Sequence, residues 1–578
     1  MEKYFPLIME LDLSLKISFR PEVFDLLKMI SHNQKDEFNN LIASYSEFLS
    51  NNLDWWVEKP VSRNTLVSPL FYRFCCLHLV KKLIQSGTSI EKIIVDSSAL
   101  FRAINEIKKK EDLNFELEGP NGELPNLHYY LWKSLKPFLG AWKRKRSQFR
   151  AAKKTKHLSI NPPKRGLTLI DQFVLPGYIT KERYYNGLWN KLNSEHKKKT
   201  YFVPTLVMMK EEDFKAAYYK LRTCERNFLI KEDYLTFYDL LFSLLHFFRV
   251  WFIKLPTQEV LGVDFSPLIR EELLSRSGLY NILEGILNYC FSKRLNDQSF
   301  DVSLVINWWE GQPLDKGWNL GFHTFFPDTR IKGYLGYAPR TMELQLWPSE
   351  SEVKYGVAPG TISTIGEKFS EEMESTKSPF QAETAPAFRF GHLWENGIAH
   401  ERDPGSFKIL MALSILLDES VNILEQVIDS DLVETSGYKL IIKPHPTMNL
   451  DTLKNRLSEK WSSKFQEGKG PTPDCIRTSD LLITGMSSIG LEAVVMGVPA
   501  IIVETLSGLA YEPIPESVPK ELWRRCRSPE EILDAINYFK NRNPEEVSKH
   551  KKLSNKIKKD YFEPVTNEGV YRFLELEV

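Results

Sequence analysis

Two short segments in the last third of the chain carry residue types suited to holding a phosphate. The first reads Tyr438-Lys-Leu-Ile-Ile-Lys443-Pro-His445-Pro446. An apolar strand there delivers a Lys-Pro-His-Pro loop at its carboxyl end, and the two prolines fix φ on either side of His445. An imidazole so aimed donates to a phosphate oxygen and, as a cation, offsets the charge of a leaving phosphate. A lone histidine would more simply tie down its own turn. His445 has company, because Ser479–Val503 reads strand, Gly485-Met-Ser487-Ser488 turn, helix, Gly497-Val-Pro499 turn, strand. Gly485 permits a tight turn, and Ser487 and Ser488 stand at the helix start, where free N–H groups bind anions. Either serine serves equally as an ordinary N-cap. Glu492, one turn on, accepts from ribose hydroxyls or complements the helix dipole.

These loops need a frame. Short β-branched runs alternate with amphipathic segments along the chain, the pattern of parallel α/β sheets. Strands are expected at Pro6–Leu15, Lys92–Asp96, Leu167–Val174, Thr200–Val207, Val302–Trp309 and Ile331–Tyr337. Four more follow at Phe407–Leu413, Tyr438–Ile442, Leu481–Thr484 and Ala500–Val503. Ser349–Asp403 is rich in Gly, Pro, Ser, Thr and Glu with a weak hydrophobic pattern, and reads as an interdomain linker. A domain boundary near residue 400 follows.

The 578 residues carry 76 Lys+Arg against 75 Asp+Glu, so a general nucleic-acid binder is disfavoured. Six cysteines show no CxxC pair, which fits a reducing compartment and neither a disulfide framework nor a zinc site. The N-terminus lacks the layout of a signal peptide, and no apolar run is long enough to span a bilayer. One segment is electrically biased: between Glu123 and Asp171 no acidic residue occurs, while Lys133–Arg165 holds many cations interleaved with Tyr129, Trp132, Phe138 and Trp142. A basic, aromatic helix of this kind lies on an anionic membrane surface or is simply a solvated face.

The Lys443–Pro446 loop, the Ser487–Ser488 turn some forty residues later and the Gly497–Pro499 turn together resemble the donor half of a GT-B glycosyltransferase. The pair is similar to the His-Pro and Ser-Ser motifs of bacterial polysialyltransferases and capsular Kdo transferases, and comparable to that of CDP-glycerol glycerophosphotransferases. Phe407–Val427 and Asp560–Leu576 also look like bacterial surface-carbohydrate (O-antigen or lipopolysaccharide) proteins. The resemblance implies two Rossmann-like domains facing across a cleft, with Lys443, His445, Gly485, Ser487, Ser488 and Glu492 on the nucleotide-sugar donor. It implies a catalytic carboxylate at a strand end in the first domain. Val302–Lys316 supplies Trp308-Trp309-Glu310-Gly311 there, a partial match in which Trp309 and Gly311 depart from the family's acidic and Asn positions. Glu310 would take the proton from an acceptor hydroxyl, and a single base implies inversion. Asp315 is its understudy, and Trp309, Asp315 and Tyr337 are candidate sugar or acceptor contacts.

The resulting expectation is an acceptor-side α/β domain over 1–400 with a basic aromatic segment near 124–166. A nucleotide-sugar domain follows over 401–550, and a helical segment over 551–578 packs back on the first. Asp429-Ser430-Asp431 does not follow a strand end and reads as a loop, so no metal cofactor is expected. The expected reaction is transfer of an acidic sugar from a CMP-sugar to a glycan or lipid-linked acceptor. Its expected place is the bacterial cytoplasm, peripheral on the inner membrane and without nucleic acid. The alternatives are a CDP-alcohol polyol-phosphate transferase, a UDP-sugar glycosyltransferase and an inactive GT-B scaffold.

Overall fold

A computed structural model describes residues 7–15, 17–120, 127–275, 277–375, 379–395 and 406–577. The expected boundary near residue 400 lies outside the described residues. A small parallel sheet opens the chain, with β1 (Leu7–Asp12), β2 (Ser89–Ile94) and β3 (Glu116–Glu118) side by side in that order. Helices between Pro21 and Gln85 cover it, and their aromatics explain the composition of that stretch: Phe24, Phe38, Tyr45, Trp55, Phe71 and Phe74 share one core with Ile8 and Leu11. Each large apolar side chain so buried contributes about 1.5–3 kcal/mol.

The second sheet holds β4 (Leu167–Val174), β5 (Thr200–Leu206), β6 (Val302–Trp308), β7 (Arg330–Leu335), β8 (Thr361–Thr364) and β9 (Gln381–Thr384), in the order β9-β8-β7-β6-β4-β5. Every residue of β4 and β5 is buried, as in a sheet covered on both faces. Pro204 is tolerated because β5 is an edge strand. Among the described residues, a two-stranded antiparallel pair, Glu259–Val260 with Val263–Asp264, accompanies these two sheets. The third sheet comprises β10 (Phe407–Ala412), β11 (Tyr438–Lys443), β12 (Phe465–Glu467), β13 (Leu481–Thr484), β14 (Ala500–Val503) and β15 (Trp523–Cys526). Its order is β12-β11-β10-β13-β14-β15, all parallel. The two larger sheets form two Rossmann-like lobes facing across a cleft, the GT-B arrangement. The cleft is bridged where Arg340 donates to the Met486 carbonyl at 2.9 Å.

The linker reading of Ser349–Asp403 is corrected. The described part holds β8, β9 and the helices Glu350–Lys354 and Glu367–Glu374. Their apolar signal is weak because polar side chains pair in the interior: Ser363 Oγ donates to Glu383 at 2.6 Å, and Lys332 reaches the same carboxylate at 2.9 Å. The C-terminal helices cross to the second sheet, where Phe573 lies 5.2 Å from the Tyr334 ring and Lys332 pairs with Glu575 at 2.9 Å. The small N-terminal unit also touches the third sheet's lobe, through Phe19 N–H to the Leu506 carbonyl and Lys28 to Glu512, each at 2.8 Å.

One buried histidine makes folding pH-dependent. His246 lies between two carboxylates, with Nδ1 2.6 Å from Asp54 and Nε2 2.8 Å from Glu58. Burial opposes its charge, but the two carboxylates win and raise its pKa to about 9. Its folded pKa lies above the ordinary value of 6.5, so its contribution is complete below pH 6.5 and is lost as pH rises towards 9. That shift corresponds to about 3 kcal/mol. In urea melts, the stability advantage of wild type over His246→Gln should shrink by about that amount between pH 6.5 and 9. An advantage equal at both pH values would refute the charged His246.

Candidate active site

In open parallel sheets, ligands bind outside the carboxyl ends of strands where the chain order reverses. The third sheet, counted along its own chain, has the order 3-2-1-4-5-6 and reverses between β10 and β13. The loop Leu413–Leu416 and the turn Gly485–Ser488 leave from that point. The second sheet reverses between β4 and β6, whose carboxyl ends lead into the loop 175–185 and the Trp309–Gln312 turn. Glu310 and Ser487–Ser488 thus occupy the switch points of opposing lobes.

Glu310 is half-buried and fixed at both oxygens, by Trp308 Nε1 at 2.7 Å and by the Gln312 side-chain amide. Burial raises its pKa, against the pull of Trp308, Arg389 and Gln312. Asp315 is not an understudy. It is 1% exposed and accepts from the backbone N–H of Glu310 at 3.0 Å and of Gln312 at 2.9 Å, so it shapes the turn that presents Glu310. Burial and the nearby charges of Glu310 and Asp171 raise its pKa strongly. Trp309 is also corrected: it is fully buried and donates to the Leu346 carbonyl at 3.1 Å, out of reach of a sugar. Tyr337 is half-buried against the core, and its hydroxyl pKa is raised by burial and by the charges of Glu343 and Glu310. Gly311 has φ +61°, and a Cβ there would lie 2.0 Å from the Gln345 carbonyl oxygen. Only glycine fits, which accounts for the missing Asn.

On the other lobe, His445 Nδ1 faces Thr447, whose backbone N–H lies at 3.3 Å and hydroxyl at 2.7 Å. An Nδ1 that accepts from the backbone leaves the proton of a neutral ring on Nε2. Burial and the charge of Arg183 lower the His445 pKa, which favours the neutral ring, with Nε2–H as its donor, over the cation. Lys443 is corrected too: its ammonium is committed to the carbonyls of Gly468 at 3.0 Å and Gly470 at 2.7 Å. Ser487 and Ser488 are half-exposed, and Ser488 makes no side-chain cap to the Ile489–Val495 helix. Gly485 has another reason for its identity than turn geometry. Its absent Cβ would lie 2.0 Å from Glu419 Oε1, which accepts the Met486 N–H at 2.5 Å. Glu492 reaches back to the first lobe, pairing with His392 Nε2 at 2.8 Å.

Sequence reasoning missed two cations that act electrostatically on both halves. Arg183 perturbs His445, and Arg389 perturbs Glu310 while feeling Arg183, Tyr184 and Glu492. Both guanidiniums are half-buried and neither makes an ion pair with a carboxylate among the described residues. Arg183 lies over the Tyr178 ring at 5.1 Å, and burial lowers the Arg389 pKa, reinforced by Arg183. Arg389 feels the carboxylates of Glu310 and Glu492 without pairing directly with either, so the two neighbouring guanidiniums keep their donors for an anion. Among the described residues, no group of three or more His, Cys, Asp or Glu side chains is arranged to hold a metal ion.

No family model matches the chain, and no curated protein matches it. Solved structures show a distant likeness. S. aureus MnaA with UDP is 8% identical with a TM-score of 0.41, over 71% of this chain and 95% of that one. UDP-GlcNAc 2-epimerase from Neisseria meningitidis bound to UDP-GlcNAc is 13% identical at 0.41, over 71% and 99%. CalG4, the calicheamicin glycosyltransferase, is 14% identical at 0.40, over 71% and 97%. Likenesses this distant carry no weight for ligand or reaction.

Proposed function

We propose that the chain is a glycosyltransferase of bacterial surface-polysaccharide assembly, taking its sugar from a nucleotide-activated donor. The supporting observation is the pairing of Glu310 and the His445 and Ser487–Ser488 loops on facing lobes, with Arg183 and Arg389 spanning the gap electrostatically. In the reaction, the acceptor oxygen attacks the anomeric carbon while Glu310 takes the hydroxyl proton. The bond from that carbon to the phosphate oxygen breaks, and the nucleotide leaves with an added negative charge. The two arginines, the His445 Nε2–H and the serine hydroxyls receive that charge. A single carboxylate acting as base gives inversion.

The donor we assign is a CMP-linked acidic sugar, since two guanidiniums match one phosphate and one sugar carboxylate. The acceptor is a lipid-linked glycan at the cytoplasmic face of the inner membrane. A thermal-shift comparison of CMP, CDP and UDP tests the donor. A nucleotide at 100 times its dissociation constant stabilises the fold by about 2.7 kcal/mol. CMP should give that shift, and Arg389→Ala should remove it. A response to UDP alone would overturn the acidic-sugar assignment and leave sugar transfer in place. Silence for all three would overturn the nucleotide site.

A further inference from the structure

We infer that a two-helix face of the lobe built on the second sheet docks onto an anionic lipid bilayer. The basic segment forms a single helix, Leu127–Thr155, which buries Tyr130, Ser134, Lys145, Gln148 and Ala152 against the lobe. Its opposite side is divided in two. The first half exposes Trp132, Leu135 and Leu139 at helical spacing, with Trp132 74% exposed. The second half presents Lys143, Arg146, Arg150 and Lys153, for which no ion pair occurs among the described residues.

The Phe237–Leu244 helix and the turn after it pack beside this one, through Trp142 on Phe237 at 5.8 Å and Phe138 on Phe248 at 5.4 Å. That neighbour exposes a second apolar stripe, Tyr238, Phe242 and Leu245, with Tyr238 77% exposed. Arg146, Arg150 and Lys153 line one groove of about 370 Å³ with Trp142, Phe149 and Phe237, so the cations and the second helix share a face. Of the acidic side chains at this groove, Asp233 pairs with Arg222 at 2.7 Å, and Glu232 is buried and accepts from Gln148 at 2.7 Å, so neither pairs with the exposed cations.

Charge complementarity selects the occupant. Unpaired cations beside large exposed apolar side chains match a surface that offers negative headgroups over hydrocarbon. A second copy of this face would set like charges against each other. The docking is independent of the transfer chemistry, so either reading can fail alone.

Sedimentation of the full chain with lipid vesicles tests it. The protein should pellet with mixed phosphatidylglycerol and phosphatidylcholine vesicles and not with pure phosphatidylcholine, and high salt should release it. Each cation near an anionic surface is worth about fivefold in partitioning, so the triple change Lys143→Glu, Arg146→Glu, Arg150→Glu should weaken it on the order of 100-fold or more. The pair Trp132→Asp and Tyr238→Asp should also lose the vesicles, with the thermal midpoint unchanged because both side chains are about three-quarters exposed. Failure to pellet with anionic vesicles, or pelleting that neither variant alters, would overturn the proposal. So would a solution dimer abolished by Trp132→Asp, or tighter binding to single-stranded RNA than to vesicles.

Discussion

Glu310→Gln should lower kcat by on the order of 10²–10⁴-fold, with nucleotide binding unchanged. The size follows from the role: the amide keeps the shape and the hydrogen bond from Trp308 but cannot take a proton. The pH profile supplies a second reading of the same group. Burial raises the folded pKa of Glu310, so the acid limb of kcat/KM should fall at a higher pH than for an ordinary carboxylate. Activity is present above that pKa and lost as pH falls through it. Gln312→Ala removes a donor that favours the charged form, and should move the acid limb further up while leaving the plateau active. A purely structural Glu310 would give a stability loss and no displaced limb. Glu310→Gln with full activity, measured as nucleotide release with an acceptor glycan, would refute the base assignment.

How much of this was legible beforehand depended on what marks a position. Strand ends carrying function were readable because turn residues flag them: Pro444 and Pro446 around His445, Gly485 before the serines, Gly311 after Glu310. Those positions fall at or beside the carboxyl ends of strands near the two switch points. Burial at the same places was not readable. In a sheet covered on both faces, alternation no longer separates core from cleft, so Trp308 and Trp309 are both fully buried. Asp315 had a signal that was passed over. Gln312-Pro313-Leu314-Asp315 spaces a helix start from an acidic third residue, and the structure forms that capping box. Arg183 and Arg389 had none, because Arg183 lies in a loop and Arg389 in the short 3₁₀ turn Phe388–Leu393, neither with a periodic pattern, and they meet only in the fold. The strands β8 and β9, at one end of the second sheet, escaped for a related reason, being short and held by polar pairs.

The largest expected loss of stability lies behind the site, at Glu284. Its carboxylate receives Lys145 on one oxygen and Lys231 on the other, the latter at 2.9 Å. Lys231 also donates to Asn288 at 2.8 Å and to Thr205 at 3.1 Å. The three charged side chains are at most 2% exposed and join the basic helix, the Leu279–Asp297 helix and the segment after β5. Glu284→Gln strands two ammonium groups away from water, and losing one partner of a buried pair costs about 3–5 kcal/mol. Against a total of about 5–15 kcal/mol, that is a third or more of the fold's margin. The protein can relieve part of the loss by releasing protons, since burial already lowers the pKa of Lys145 and of Lys231. An unfolded chain then binds more protons than the native one, so the variant's stability should rise with pH towards the lysine range. Replacing the triad, Lys145→Met, Lys231→Met and Glu284→Leu together, removes both stranded ammonium groups and should recover part of the loss, the rest remaining because buried Glu232 and Asp171 lose the lysine charges they face. The triple variant should remain active, because Glu310 is held by Trp308, Gln312 and Asp315 and by none of these three. Urea melts that find Glu284→Gln as stable as wild type would mean that the two lysines are neutral in the native protein and the carboxylate holds no charge pair.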